Sequence, residues 1–141
     1  MIQRIQSIWL LLAGLAGLAT YKLPLWRGTV QDGTVKEYMG PENLLLFALI
    51  VVASLLAFVT IFLFRNRKQQ KGLAVIGILL SIGIIALEVL QVDAYRQGLN
   101  VARNSWQLGA LMPLLMLVFF FLARNGIARD EKLVKSLDRL R

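Results

Sequence analysis

Residues 43–71 read NLLLFALIVVASLLAFVTIFLF followed by RNRKQQK. The first 22 residues carry no charge. The next seven carry Arg65, Arg67, Lys68 and Lys71, and no acid. A bilayer core of about 30 Å takes roughly 20 helical residues. The stretch therefore predicts a transmembrane helix that stops at a basic, water-facing segment. Three further apolar runs flank it. Ile5 to Tyr21 is uncharged and continues past Lys22 to Leu25. Gly72 to Leu87 is uncharged and resumes after Glu88 with Val89-Leu90. Asn104 to Ala123 is uncharged for 20 residues.

The expected fold is thus an all-α membrane protein, a single membrane domain over residues 1–141. Its helices are expected at about 5–25, 43–64, 72–92 and 104–124, with an outer loop at 26–42. Composition agrees: 57% of the 141 residues are hydrophobic and mean hydropathy is +0.65, above the apolar share of soluble domains. The first run also has features of a signal peptide, with Arg4 ahead of it and small residues at Ala16, Gly17 and Ala19. Its apolar stretch is longer than a signal core and runs on into Leu25-Trp26, so it is read as a retained helix.

Charge sets the expected orientation. Arg4, the 65–71 segment and the tail beyond Ala123 hold eleven basic and three acidic residues, a net +8. The opposite side holds five of each, Lys22, Arg27, Lys36, Arg96 and Arg103 against Asp32, Glu37, Glu42, Glu88 and Asp93. The positive-inside rule places both termini in the cytoplasm of a bacterial inner membrane. The same basic residues, Arg65, Arg67, Lys68 and Lys71, are candidate contacts for anionic lipid or a protein partner. A nucleic-acid partner is not expected, because no base-reading motif accompanies the charge.

Catalysis is poorly provided for. The chain has no Cys and no His, which removes thiolate chemistry, the commonest general base and the commonest metal ligand. Asp130 and Glu131 are adjacent, so on a helix they diverge by about 100° and do not converge on one metal. No enzyme activity, cofactor or metal is expected. Glu88 is the one acid embedded in an apolar run and so the candidate functional acid. At about 1.5 Å per residue from Lys71 it lies near the outer headgroups, within reach of Lys22, Arg27 or Arg103. No second buried acid is expected to form a relay with it.

Small residues mark expected helix contacts. Ala13, Gly14 and Gly17 on the first helix, and Gly77 and Ser81 on the third, would let backbones approach closely, within the bundle or against a second copy. Pro113 removes a backbone donor inside the fourth run and predicts a kink there. Asp32-Gly33, between the short β-prone segments 29–31 and 34–36, predicts a hairpin with a type I′ turn. Such a ribbon needs support from the membrane surface, the other outer loop or a partner. Asn125-Gly126 reads as a helix end. Beyond it, Leu133, Leu137 and Leu140 share one face of a short cytoplasmic amphipathic helix at about 129–141. That face suits either the inner leaflet or another protein.

Three segments carry a family resemblance. They are Met1-Ile2-Gln3-Arg4-Ile5-Gln6, Gly109-Ala110-Leu111-Met112-Pro113, and the tail from Ala128 through Lys132-Leu133-Val134-Lys135-Ser136 to Arg141. In this order they resemble the four-helix bacterial inner-membrane family known as domain of unknown function 4293. The outer loops depart from the pattern. The resemblance implies four transmembrane helices and transfers no catalytic or binding residue. The expected role is a non-catalytic accessory or scaffolding subunit that meets a membrane protein partner or itself. The alternative is a small homo-oligomeric transporter or channel using Glu88.

Overall fold

The structure is a computed structural model and describes residues 3–140. Met1, Ile2 and the side chain of Gln3 from the opening motif, and the Arg4 side chain and all of Arg141 from the charge count, lie outside the described residues. Four helices and three strands follow in the order α1 (Gln3–Lys22), β1 (Pro24–Val30), β2 (Val35–Met39), α2 (Leu44–Phe62), α3 (Arg67–Gln97), β3 (Val101–Trp106) and α4 (Leu108–Arg139). A 3-10 turn, Gly40–Glu42, leads into α2. α1 packs on α2 and α4, and α3 packs on the same two, so the helices form a closed ring.

Each helix buries one seam with alternating steps of four and three. The seams are Gln6-Leu10-Ala13-Gly17-Thr20, Leu46-Ile50-Ala53-Ala57-Thr60, Gln70-Ala74-Gly77-Ser81-Ile84-Glu88 and Gly109-Pro113-Met116-Phe120-Ala123-Ile127-Asp130. This is the heptad spacing of left-handed helix packing. The large apolar side chains mostly point the other way: Leu15, Leu18, Leu55, Leu79, Leu114 and Phe121 are exposed. Seams that mix Ala, Gly, Ser and Thr with a few large residues such as Leu10, Leu46 and Phe120, under a mostly large apolar outer face, fit lipid, where packing rather than water exclusion joins helices.

The buried hydroxyls fit the same environment. Thr20, Ser54, Thr60 and Ser81 each donate to the carbonyl four residues earlier, at 2.6–3.0 Å. Each is therefore satisfied by its own helix. α2, α3 and α4 are long and apolar enough to cross a membrane. α1 is not among these three; Gln6 and Ser7 interrupt its apolar run.

The expected hairpin is part of a larger sheet. β1 is central, paired antiparallel to β2 and β3, so the ribbon takes its support from the other interhelical loop. The turn differs from type I′. Only Gly33 has positive φ, at 86°. Val30 accepts from the Gly33 amide and donates to Thr34, both at 2.9 Å. This is a three-residue loop with glycine in the left-handed position. Leu25, Trp26 and Tyr38 are buried beneath the sheet, with Tyr95 of α3 5.1 Å from the Tyr38 ring and 6.0 Å from the Trp26 ring. Burial, then Glu42 and Tyr95, push the Tyr38 phenol above its usual pKa. The sheet caps one end of the bundle.

Several expected boundaries move. α1 ends at Lys22 rather than 25, because Pro24–Val30 forms the central strand, and α3 runs on to Gln97 rather than 92. α4 begins at Leu108 rather than 104, because residues 101–106 pair with the open edge of β1. α3 begins at Arg67, so Arg67, Lys68 and Lys71 sit on its first turns; Asn66 caps it by accepting from the Gln69 amide. The separate tail helix does not exist. α4 runs unbroken through Gly126 to Arg139. Gly126 is instead a point of close approach, where a Cβ would lie 2.9 Å from Gln6 Cγ. Pro113 lies within α4 and is buried; the helix continues on either side of it.

Candidate functional site

A polar network closes the end of the bundle opposite the sheet. Asp130, the last residue of the α4 seam, is 6% exposed, and Gln6 of α1 donates to its Oδ2 through Nε2. Arg67 of α3 donates from Nη1 to the Asp130 carbonyl at 3.2 Å. Gln70, also buried, donates from Nε2 to the Thr60 carbonyl of α2 at 3.2 Å. Glu131 is bridged by Lys135 at 2.9 Å and Lys71 at 3.5 Å. Its hydrogen bond to Lys135, with the charges of Lys135 and Lys71, holds its carboxyl below the usual range. Each helix thus contributes at least one polar side chain or carbonyl to this end.

The heptad explains why these residues meet. Steps of four and three carry the α4 seam from Ala123 through Ile127 to Asp130, across the expected break at Gly126. Gln6 stands four residues before Leu10 on the α1 seam. Both residues could have been found by extending the seams past the apolar runs; local helix-end chemistry pointed elsewhere. Beside the network lies a pocket of about 360 Å³, lined by Gln6, Ser7, Ile61, Phe62, Phe64, Arg67 and Gln70.

Glu88 lies at the other end. It faces the bundle interior, 3% exposed, and its Oε1 has no hydrogen-bond partner. The expected cations do not reach it. Arg27 pairs with Glu37, its Nε 2.6 Å from Oε1. Lys22 and Arg103 are exposed, and no ion pair of Glu88 occurs among the described residues. The structure does supply a second buried acid, Asp130, whose Oδ1 is also unpartnered. Arg67 marks the level of Asp130, and 21 residues of α3 separate it from Glu88. That is about 30 Å along the axis, too far for direct proton exchange.

The small-residue candidates pack inside the ring. Ala13 is fully buried. A Cβ on Gly14 would meet the Phe58 ring at 2.7 Å, and one on Gly17 would meet Ser54 and Met116. Gly77 stands against the Phe120 ring, and Ser81 is buried on the same seam. Gly109 is a contact that sequence reasoning missed. A Cβ there would lie 2.7 Å from the Leu23 carbonyl oxygen and also strike that of Pro24. Arg65 and Lys68 are exposed at the network end. Leu133, Leu137 and Leu140 are 50%, 64% and 84% exposed on the part of α4 that projects beyond the ring.

The Gln6–Asp130 bond should matter for stability. Gln6→Leu leaves both carboxyl oxygens of a buried acid unpartnered, at an expected cost of about 1–3 kcal/mol. Adding Asp130→Leu should restore much of that loss, since removing both partners is cheaper than orphaning one. Thermal unfolding of the two variants in one detergent reads the difference.

The features define a class: a four-helix bundle with three helices able to cross a membrane and a small three-stranded sheet at one end. The chain belongs to the family described as domain of unknown function DUF4293, whose model matches residues 2–140. No curated protein and no solved structure matches it.

Proposed function

We propose that this is an integral protein of the bacterial inner membrane that crosses it four times, with both termini in the cytoplasm. It serves as a non-catalytic accessory or scaffolding subunit of a membrane assembly, bound to a partner protein or to a second copy. The observation that carries this is the end of α4. Residues 132–140 are all exposed and leave the ring as a continuation of α4, presenting Leu133, Leu137 and Leu140 among basic side chains. Leu10, Ile84, Met116 and Phe120 fill the seams behind it, so the chain's elaborated surface is this projection. The charge asymmetry supports placing it inside, and the basic face also draws anionic lipid.

Extraction in mild detergent followed by mass spectrometry of co-purifying chains tests the role. A defined partner, or a stable oligomer, is expected with the wild type and lost in the double variant Leu133→Glu, Leu137→Glu. A monodisperse monomer with no partner would sink it. The unpartnered Oε1 of buried Glu88 favours a second reading, a small homo-oligomeric transporter or channel. Ion or solute flux in liposomes that is unchanged by Glu88→Gln counts against that alternative.

A further inference from the structure

We infer that the pocket at the corner of α1, α2 and α3 holds the phosphate headgroup of an anionic phospholipid from the leaflet beside the basic ends. Its position in that leaflet rests on the topology proposed above.

The lining is divided. Arg67, Gln6, Gln70 and Ser7 form a polar wall, and Ile61, Phe62 and Phe64 an apolar one. The polar wall is rich in donors. The Arg67 guanidinium has five N–H groups, of which one bond to the Asp130 carbonyl is made. Gln6 and Gln70, 4% and 3% exposed, each spend one amide hydrogen, on Asp130 and on Thr60. A second remains on each nitrogen. A wall of surplus donors suits an acceptor-only group such as a phosphate diester.

Charge points the same way. Segment 65–71 holds four cations and no acid. Asp130 and Glu131 are the acids nearby, and Glu131 is taken by Lys71 and Lys135. Arg65, Arg67 and Lys68 have no carboxylate partner among the described residues. The pocket also sits at the right depth. It spans the last turn of α2 and the first of α3, where the uncharged run ends and headgroups begin. Phe62 and Phe64, 78% and 53% exposed, flank it where the glycerol and first methylenes would lie. A volume of about 360 Å³ accommodates a headgroup, not a whole lipid.

Native mass spectrometry of the full chain, delipidated in mild detergent and titrated with phosphatidylglycerol or phosphatidylcholine, tests the site. One phosphatidylglycerol should be retained, about tenfold more tightly than phosphatidylcholine. Arg67→Gln should weaken retention about tenfold. Because Arg67 also ties α3 to α4, Ser7→Phe provides a second arm, filling the pocket without changing charge, and it should abolish retention too. Arg139→Gln makes the same charge change on the tail and should leave retention intact. Equal loss in Arg139→Gln, no preference for phosphatidylglycerol, or inorganic phosphate bound in its place would overturn the proposal. Labelling of segment 65–71 from outside the cell would instead overturn the topology and leave a pocket that still binds.

Discussion

Gly109→Ala should destabilise the detergent-solubilised protein by about 3 kcal/mol, the upper end for overpacking. The added methyl would meet main-chain atoms, the Pro24 and Leu23 carbonyls, where α1 hands over to β1. A side chain can change rotamer to admit a methyl group. A carbonyl fixed between a helix and a strand can move only if the strand moves. The Gln107 amide donates to the Leu25 carbonyl at 3.0 Å next to this contact, so displacing β1 would also break the join between sheet and α4. Gly83→Ala is the matched control. Nothing lies within 4 Å of its added Cβ, and the change should be neutral or stabilising by up to about 1 kcal/mol. Denaturant titration in mixed micelles, monitored by tryptophan fluorescence, should separate the two variants. Equal midpoints would show that α4 and β1 are not packed this closely.

Phe120→Ala should cost about 3–5 kcal/mol, and Gly77→Ala about 1–3 kcal/mol. The two should not add. Phe120 is fully buried, and its ring occupies the space a Cβ on Gly77 would take. In the Phe120→Ala background that methyl enters a cavity instead of striking the ring. The double variant should therefore be less damaged than the two single losses combined, by about 1 kcal/mol or more. Strict additivity would mean that the two residues do not share the α3–α4 interface.

These contacts show where reading from residues succeeded and where it stopped. Uncharged runs of membrane length located α2 and the body of α3 and α4, because length and apolarity are local properties. Gly33 marked the turn for the same reason, although the loop adopted one positive φ rather than two. β3 was invisible alone. Arg103, Asn104 and Ser105 carry no strand signal, and the segment is extended because β1 offers it an edge. The continuity of α4 also depends on a neighbour. Asn125-Gly126 has the local chemistry of a helix end, yet the close approach of Gly126 to Gln6 of α1 and the bond from Gln6 to Asp130 hold the helix through it. Asp130 falls in the separate tail helix expected at about 129–141; continuity of α4 puts it on the buried seam and against Gln6. Glu88 stands out in the sequence as the one acid embedded in an apolar run, but its burial against the bundle interior is not legible there. Depth along a helix can be counted from sequence, whereas the face it presents depends on three other helices.

In the proposed topology the bundle crosses the membrane with the sheet outside and the network, pocket and α4 projection inside. The chain has no cysteine, so single cysteines can be introduced without removing native ones. Asp32→Cys, in the sheet turn, and Ser136→Cys, on the projecting end of α4, are both exposed. In intact spheroplasts a membrane-impermeant maleimide should label Asp32→Cys, and should label Ser136→Cys only after the membrane is permeabilised. Labelling of Ser136→Cys in intact spheroplasts, or protection of Asp32→Cys, would contradict this topology.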